Sequence, residues 1–221
     1  MLETMKKHKY KLLLSSAIIL LPMAAGLLLW ERLPEQMATH WDFSGEPNGW
    51  SSRSFAVFGL PLLMLALNWV CLLAEQGNFS RNPKPMWLVF WICPAVSVFC
   101  GTLTYAYALG YDLHIETFAP VMLGAMLIAI GNYLPKCRQN YTLGIKLKWT
   151  FESEENWNAT HRMAGKVWVA AGAVTMLCAF LPESVSAWIV VPVILGAVLV
   201  PTVYSYLYSR RNGQTGEGED A

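Results

Sequence analysis

The sequence predicts an all-α integral membrane protein: a bundle of six transmembrane helices with both termini in the cytoplasm. Of its 221 residues, 55% are apolar and only 14% are charged, whereas about 25% of the residues in a typical soluble domain are charged. Six windows contain no Asp, Glu, Lys, Arg or His, and most have the roughly 17 to 25 residues that cross a hydrocarbon core about 30 Å thick. They are Leu12–Trp30, Phe55–Ala74, Trp87–Leu109, Phe118–Leu134, Val167–Leu181 and Ala187–Tyr208.

Lysine and arginine set the predicted orientation, because cytoplasmic loops of membrane proteins carry an excess of both. Only Arg32 and Arg53 fall on the other side. We therefore expect a structured outward loop, residues 31–54, after helix 1 and a long cytoplasmic loop, residues 135–166, between helices 4 and 5. The basic residues on the predicted cytoplasmic side are Lys6, Lys7, Lys9, Lys11, Arg81, Lys84, Lys136, Arg138, Lys146, Lys148, Arg162, Lys166, Arg210 and Arg211.

Three parts make up the predicted domain organisation. Residues 1–80 form an N-terminal membrane domain with helices 1 and 2, residues 87–210 form a second membrane domain with helices 3 to 6, and residues 211–221 form a flexible tail. Prolines inside the spans predict kinks, which membrane helices tolerate when neighbouring groups satisfy the freed carbonyls. These prolines are Pro22, Pro61, Pro94, Pro192 and Pro201.

The predicted spans contain little polar chemistry. Pumps, proton-coupled transporters and intramembrane proteases place a carboxylate, a histidine or a metal ligand at membrane depth, but here Asn68 is the clearest polar group. We interpret Asn68 as the donor or acceptor of an interhelical hydrogen bond. The five cysteines form no C-x-x-C pair and have no histidine nearby, so we expect no disulfide, metal or cofactor.

The outward loop combines turn-forming residues with an alternating stretch at residues 37–43. Gly45 and Pro47 indicate tight turns, because glycine supplies a positive φ and proline fixes its own. We therefore predict a short extended element followed by turns, with Trp41 and Trp50 anchoring the loop at the membrane interface.

Two titratable side chains of this loop, His40 and Asp42, point to one face if the chain is extended. They either organise the loop through hydrogen bonds or act as a metal or acid–base pair. No third ligand with suitable spacing lies nearby, which favours the first interpretation. His114 and Glu116 repeat the spacing in the next outward turn.

The cytoplasmic loop carries signals for its own structure. Residues 140–144 read as a turn that leads into the short alternating run 145–149. Ser153 is placed to cap a helix whose first turn holds Glu154 and Glu155, where negative charge is favourable. We predict that this helix continues directly into span five.

One face of that helix carries Trp157, His161, Ala164 and Trp168 at positions i, i+4, i+7 and i+11. One interpretation is an amphipathic interfacial helix, with both tryptophans at the headgroups and His161 hydrogen-bonded. The other is a docking surface or the lining of a vestibule. The two glutamates and His161 do not form H-E-x-x-H, so a zinc hydrolase is disfavoured.

Five short motifs follow one another along the cytoplasmic loop. They are Gly131-Asn-Tyr-Leu-Pro135, Asn140-Tyr-x-x-Gly-Ile145, Trp149-Thr150, Ser153-Glu-Glu-x-Trp157 and Thr160-His-Arg-x-Ala-Gly-Lys166.

These ordered motifs resemble the SdpI family, bacterial membrane proteins named for immunity to the secreted SDP killing peptide. The outward loop from Leu33 to Pro47 resembles the uncharacterised N-terminal domain found in that family. The resemblance implies a non-enzymatic, multi-pass protein of the cytoplasmic membrane that protects its producer from a membrane-active peptide. In the type member it also implies signal transduction, in which a small transcriptional repressor is held at the membrane. No catalytic residue follows from it.

Two sets of residues are predicted to carry this function. The expected partners are membrane lipid, a secreted toxin peptide outside and a repressor inside, and no direct contact with nucleic acid is expected. The alternative is an enzyme or transporter that acts on a lipid or small molecule at the cytoplasmic interface through His161 and a nearby glutamate. The peptide-contact set is His40, Trp41, Asp42, Gly45 and Pro47. The cytoplasmic partner or scaffold set is Asn132, Pro135, Asn140, Gly144, Trp149, Thr150, Glu154, Glu155, Trp157, His161, Arg162 and Gly165.

Overall fold

The computed structural model describes residues 7–75, 77 and 82–216, so Lys6, Arg81 and residues 217–221 of the predicted tail lie outside it. Helices dominate, and the outward loop adds one β-hairpin that the all-α prediction contained only as a short extended element. The elements are α1 (Lys9–Ile19), α2 (Leu21–Leu28), β1 (Gln36–Trp41), β2 (Pro47–Ser52), α3 (Leu60–Ala74), α4 (Pro83–Ala108), α5 (Ile115–Tyr133), α6 (Lys148–Glu152), α7 (Glu154–Cys178) and α8 (Glu183–Gly216).

Five helical segments in the described part of the chain are long and apolar enough to cross a membrane. The chain is therefore a multi-pass membrane protein, as the hydropathy pattern predicts. All but the last three residues of the segment predicted as span five lie within α7. The first half of α7 carries Glu154, Glu155, Arg162 and Lys166, and α7 is not among the five. The five are Lys9–Leu28, Phe55–Ala74, Pro83–Ala108, Ile115–Lys136 and Ser184–Asn212.

Two of the predicted proline kinks coincide with breaks in helical geometry. The first apolar segment divides at Leu20, and Pro22 then occupies the first turn of α2, where its missing N–H removes no helical hydrogen bond. Pro61 lies in the first turn of α3, directly after a π-helical turn at Phe55–Gly59. The other three, Pro94, Pro192 and Pro201, lie inside the continuous helices α4 and α8.

The chain forms two compact units. The first comprises residues 1–79 and 86–119, and the second comprises residues 80–85 and 120–221. Asn68, in the first unit, is fully buried, but its amide has no hydrogen-bond partner within the described residues. The interhelical hydrogen bond predicted for it is therefore not formed. The first unit has an apolar core built from Leu33, Met37, Ala56, Val57 and Tyr105.

In the second unit, α5 and α7 pack with their backbones in close contact at two glycine pairs. A Cβ placed on Gly124 would lie 2.5 Å from the carbonyl oxygen of Gly172, and one placed on Gly165 would lie 2.8 Å from that of Gly131. Each helix thus spaces its two glycines seven residues apart. Small residues at such positions let membrane helices approach without a side chain between them.

The helices α7 and α8 form an antiparallel pair. The Asn156 side chain donates a hydrogen bond to the Ser205 carbonyl at 3.0 Å, and the Trp168 indole donates to the Ala197 carbonyl at 2.9 Å. The Ser153 hydroxyl accepts from the Asn156 amide at 3.1 Å. The predicted cap and the predicted continuous helix into the fifth apolar segment are both confirmed.

Candidate functional site

Asp42 organises the turn of the hairpin. Its Oδ1 accepts hydrogen bonds from the Ser44 amide at 2.9 Å, the Ser44 hydroxyl at 2.6 Å and the Glu46 amide at 3.1 Å. These bonds favour the ionised carboxylate, and the Ser44 hydroxyl contributes most to lowering the pKa of Asp42. The loop-organising interpretation is confirmed for this residue.

His40 lies opposite Gly49 in the antiparallel pair, between two register irregularities. Its Nδ1 donates a hydrogen bond to the Asn48 amide oxygen. A Cβ on Gly49 would lie 2.8 Å from the Cβ of His40, so this position of the hairpin requires a glycine. His40, like Asp42, therefore serves to hold the loop together.

Arg53 fastens the base of the hairpin. Its guanidinium donates to the carbonyl of Trp30 at 2.8 Å and to that of Leu33 at 3.0 Å, and it lies 4.5 Å from the centre of the Trp30 ring. The chain entering the hairpin is thus tied to the chain leaving it. A basic residue on the predicted outer side has a structural role here.

The tip of the hairpin rests against the start of α5. Gly45 has a φ of +82°, and a Cβ on it would lie 2.7 Å from a carboxylate oxygen of Glu116. Glu116 also accepts a hydrogen bond from His114 at 2.9 Å, which raises the pKa of His114. The pair lies at the surface, where such ion pairs contribute little to stability.

Strand β1 roofs an apolar cavity of about 480 Å³ in the first unit. Thr39, His40, Trp41 and Asp42 line it from the hairpin side, so three of the five predicted peptide-contact residues meet there. Gly45 and Pro47 shape the turn and do not line the cavity. The helices supply the remaining wall, which is mainly apolar and includes Leu60, Leu63, Met64, Leu67 and Leu103.

In the second unit, Asn140 is the centre of the loop that is predicted to be cytoplasmic. Its Nδ2 donates to the carbonyls of Arg138 and Leu143 at 2.8 and 3.0 Å, while its Oδ1 accepts from the amides of Thr142 and Leu143 at 2.9 and 2.7 Å. One buried side chain therefore satisfies both ends of the predicted turn.

Thr150 fixes the next segment in the same way. Its hydroxyl accepts from the Leu147 amide at 2.9 Å and lies 3.0 Å from the Ile145 carbonyl, to which it can donate. The Gln139 amide donates to the Thr150 carbonyl at 2.8 Å. Beside it, the Trp149 ring packs edge-on against Tyr206 with 5.4 Å between centroids.

Trp157 and His161 form the buried end of this loop. Their rings stack 4.2 Å apart, and the Trp157 indole donates to the Cys137 carbonyl at 2.8 Å. The Ile145 amide donates to His161 Nε2 at 2.9 Å. Gly144, with a φ of +108°, packs against this pair, where a Cβ would collide with His161 Nε2.

Both imidazole nitrogens of His161 are occupied. Because a carbonyl can only accept, Nδ1 donates to the Trp157 carbonyl at 2.8 Å, and Nε2 is the acceptor for Ile145. Burial lowers the pKa of His161, and the Trp157 carbonyl offsets only part of that effect. His161 has no lone pair left for a general base, and Glu154 and Glu155 are exposed.

The interfacial interpretation of this helix face requires one correction. Trp157 is fully buried in protein, so its ring cannot lie among headgroups. The sequence pattern identified the correct face, but the loop 137–151 folds back over it. Trp168 is half-buried.

Several residues that build this region were missed by the sequence interpretation. Asn156, the unspecified position in Ser153-Glu-Glu-x-Trp157, accepts from the hydroxyls of Thr160 and Ser205 at 2.9 and 3.1 Å. Asn82 accepts from the Arg138 amide at 2.7 Å. An asparagine in the first turn of the helix predicted to follow Ser153 is the signal that could have revealed Asn156.

Four residues of the cytoplasmic set lie elsewhere. Asn132, Pro135, Arg162 and Gly165 line a second cavity of about 850 Å³. In the parts of the chain that are described, no three His, Cys, Asp or Glu side chains are placed to hold a metal ion.

Two regions of the chain are similar to known protein families. Residues 136–205 match the SdpI/YfhL protein family, and residues 17–65 match a domain of unknown function (DUF1648). The motifs from Asn140 to Lys166 that predicted the SdpI resemblance lie within residues 136–205, the part that matches the SdpI/YfhL family.

The similarity to SdpI extends beyond residues 136–205. The chain is 24% identical over 207 residues to the immunity protein SdpI of Bacillus subtilis (strain 168). These aligned residues make up 94% of this chain and 98% of that protein. No solved structure matches the chain.

Proposed function

We propose that the chain is a non-enzymatic membrane immunity protein that gives resistance to a membrane-active antimicrobial peptide. The observation that carries the proposal is its similarity, over 94% of its length, to a protein named for immunity. The five long apolar helices agree with action inside a membrane, and the occupied nitrogens of His161 disfavour the enzymatic alternative.

The proposed topology has six crossings in the bacterial cytoplasmic membrane, with both termini inside. The sixth crossing would be the charge-free second half of α7, residues 167–178, continued by residues 179–181. Single cysteines in a cysteine-free variant test this. A membrane-impermeant maleimide is expected to label His114→Cys in intact cells and Lys148→Cys only after lysis; the reverse pattern would refute the topology.

The hairpin is the proposed site of first contact with the peptide. His40, Trp41 and Asp42 stand over the apolar cavity, whose volume of about 480 Å³ falls within the roughly 300 to 1,000 Å³ of typical ligand pockets. An apolar segment of the peptide would enter this cavity beneath the hairpin. Gly45 and Pro47 fix the turn of the hairpin and so hold strand β1 over the cavity.

Expression in a bacterium that is sensitive to the SDP killing peptide, and that lacks its own immunity protein, tests the function. The wild-type chain is expected to raise the inhibitory concentration of the peptide. Trp41→Ala should reduce that protection by about 30-fold, the equivalent of one strong anchor contact.

Trp50→Ala is the matched control, because Trp50 belongs to the same hairpin, is 54% exposed and does not line the cavity. It should leave protection intact. Membrane levels of each variant are measured by immunoblot. Absence of protection by well-expressed wild-type protein would refute the immunity function, whereas equal protection by wild type and Trp41→Ala would refute the contact site alone.

We further propose that the cytoplasmic loop relays the signal to a small transcriptional repressor. The motif side chains Asn140, Thr150 and Trp157 are buried and hold the loop together, so an exposed surface must make the contact. Tyr141 is 85% exposed and stacks on Phe151 with 5.4 Å between ring centroids. This aromatic pair is our candidate contact surface.

A fluorescent fusion of a small helix-turn-helix regulator, co-expressed with this chain, tests the relay. It is expected to move to the membrane when the peptide is added, and Tyr141→Ala should abolish that movement. Tyr111→Ala, at an exposed tyrosine of the outward turn, is the control. Recruitment that is unchanged in Tyr141→Ala would exclude this surface.

A further inference from the structure

Two unpaired cations lie side by side on α7. Arg162 and Lys166 are four residues apart, so they share one face of the helix. Both are exposed, and neither has a carboxylate within 4.0 Å in the described chain. A third cation, Lys136, donates to the Asn132 side chain at 3.4 Å and lies 4.7 Å from the Tyr133 ring centre.

Two of these cations, Arg162 and Lys166, border the second cavity of about 850 Å³. Arg162 and Lys166 line one wall, while Asn132 and Pro135 at the end of α5 line the other. Tyr204 from α8 contributes a further part of the lining. A positively charged groove therefore opens between three helices of the second unit.

The same cavity continues along α7 onto an apolar surface. Val169, Ala170 and Ala173 line it, and all three are exposed. The change in polarity is abrupt, because the charge-free run of the sequence begins at Val167, directly after Lys166. One end of the groove thus suits an anion, and the other suits a hydrocarbon chain.

Close packing of the α5 and α7 backbones shapes the groove before a ligand binds. A Cβ on Gly165 would lie 2.7 Å from a ring carbon of Pro135 and 2.8 Å from the Gly131 carbonyl oxygen. This close contact fixes the distance between α5 and α7 at the charged end. The bound form therefore requires little rearrangement of the walls.

We propose that this groove binds one anionic phospholipid. Arg162 and Lys166 hold the phosphate through charge-assisted hydrogen bonds, and one acyl chain lies along Val169, Ala170 and Ala173. Basic pockets between membrane helices are known to take such headgroups. A free phosphate would leave the apolar half uncovered, so a lipid matches the lining better. The site is independent of the immunity function.

Native mass spectrometry of the full chain in a neutral detergent, with phosphatidylglycerol or phosphatidylcholine added, tests the proposal. The wild type is expected to retain one phosphatidylglycerol in preference to phosphatidylcholine. At about 5-fold for each removed charge, Arg162→Gln with Lys166→Gln should weaken that binding about 25-fold. Lys146→Gln with Arg211→Gln removes the same charge elsewhere and should leave binding unchanged.

A second pair of variants distinguishes a lipid from a free anion. Ala170→Phe with Ala173→Phe fills the apolar half of the groove, so it should reduce retention of phosphatidylglycerol. It should not change how strongly added inorganic phosphate competes for Arg162 and Lys166. Equal retention of the two lipids by the wild type would overturn the proposal, and that result depends on no variant. Unchanged retention in the Arg162 and Lys166 double variant, or in the phenylalanine pair, would overturn it as well.

Discussion

The backbone amide of Ile145 donates a hydrogen bond to the Nε2 atom of His161, 16 residues later in the chain, at 2.9 Å. This bond joins the loop 137–151 to α7 and requires a neutral imidazole with its proton on Nδ1. The loop's shape thus depends on the protonation state of one buried side chain.

We expect His161→Ala to destabilise the protein by about 2 to 4 kcal/mol, because it removes a buried ring and leaves the Ile145 amide unpaired. Thermal unfolding in a mild detergent measures the change. His114→Ala, which removes an exposed histidine, should stay within about 0.5 kcal/mol. Equal effects of the two substitutions would contradict the assigned role of His161.

Stability should also depend on pH through His161. Its pKa in the folded protein lies below the ordinary value of 6.5, so the unfolded chain takes up the proton first as the pH falls. The contribution of neutral His161 is fully present above about pH 6.5 and is lost toward the lower pKa of the folded state. His114, with a raised pKa, acts in the opposite sense and loses its contribution as the pH rises.

The difference in unfolding midpoint between wild type and His161→Gln, followed from pH 8 to pH 5, isolates the His161 effect. The stability advantage of the wild type should shrink as the pH falls. A constant difference would show that His161 is not held neutral.

Substitution by alanine should be tolerated less well at Gly144 than at Gly110, another glycine with a positive φ. Alanine at Gly144 would combine an unfavourable φ of +108° with a Cβ that collides with His161 Nε2. Gly110 has a φ of +83° but open space around it, so Gly110→Ala should cost only the backbone term of about 1 to 2 kcal/mol. Unfolding midpoints of both variants check this, and a Gly144→Ala loss no larger than that of Gly110→Ala would be inconsistent with the contact.

Gly172 should be intolerant of alanine because of its contact with α5. A Cβ there would lie 2.5 Å from the Gly124 carbonyl oxygen, so Gly172→Ala should cost about 1 to 3 kcal/mol through overpacking. Gly196 lies in a membrane-crossing helix with nothing within 4 Å of an added Cβ, and Gly196→Ala should be tolerated. Comparable unfolding midpoints for the two variants would rule out the glycine contact.

Local signals predicted α7 but not α6, because residues 145–149 were interpreted as an alternating run whereas Lys148–Glu152 is helical. The Ser153 cap, the two glutamates of the first turn and the continuity of α7 all depend on neighbouring residues, and all three are observed. The hairpin was predicted only as an extended element with turns, because pairing of β1 with β2 depends on residues up to 16 positions apart. Strand register cannot be read from composition alone.

In the candidate site, too, spacing along one helix was predictable from the sequence, whereas contacts between distant segments were not. The helical spacing placed Trp157 and His161 on one face, but burial of Trp157 depends on the Cys137 carbonyl 20 residues earlier. The groove at Arg162 and Lys166 likewise depends on Pro135 meeting Gly165 across two helices.

By itself, the sequence determined a multi-pass membrane protein, because a charge-free run long enough to cross the bilayer is a property of consecutive residues. It also identified the SdpI-type motifs, since these are short and ordered along the chain. Only the tertiary structure decided which motif residues are buried supports and which line a cavity. Contacts between distant segments set burial and the direction of each hydrogen bond, and these contacts exist only once the helices have packed.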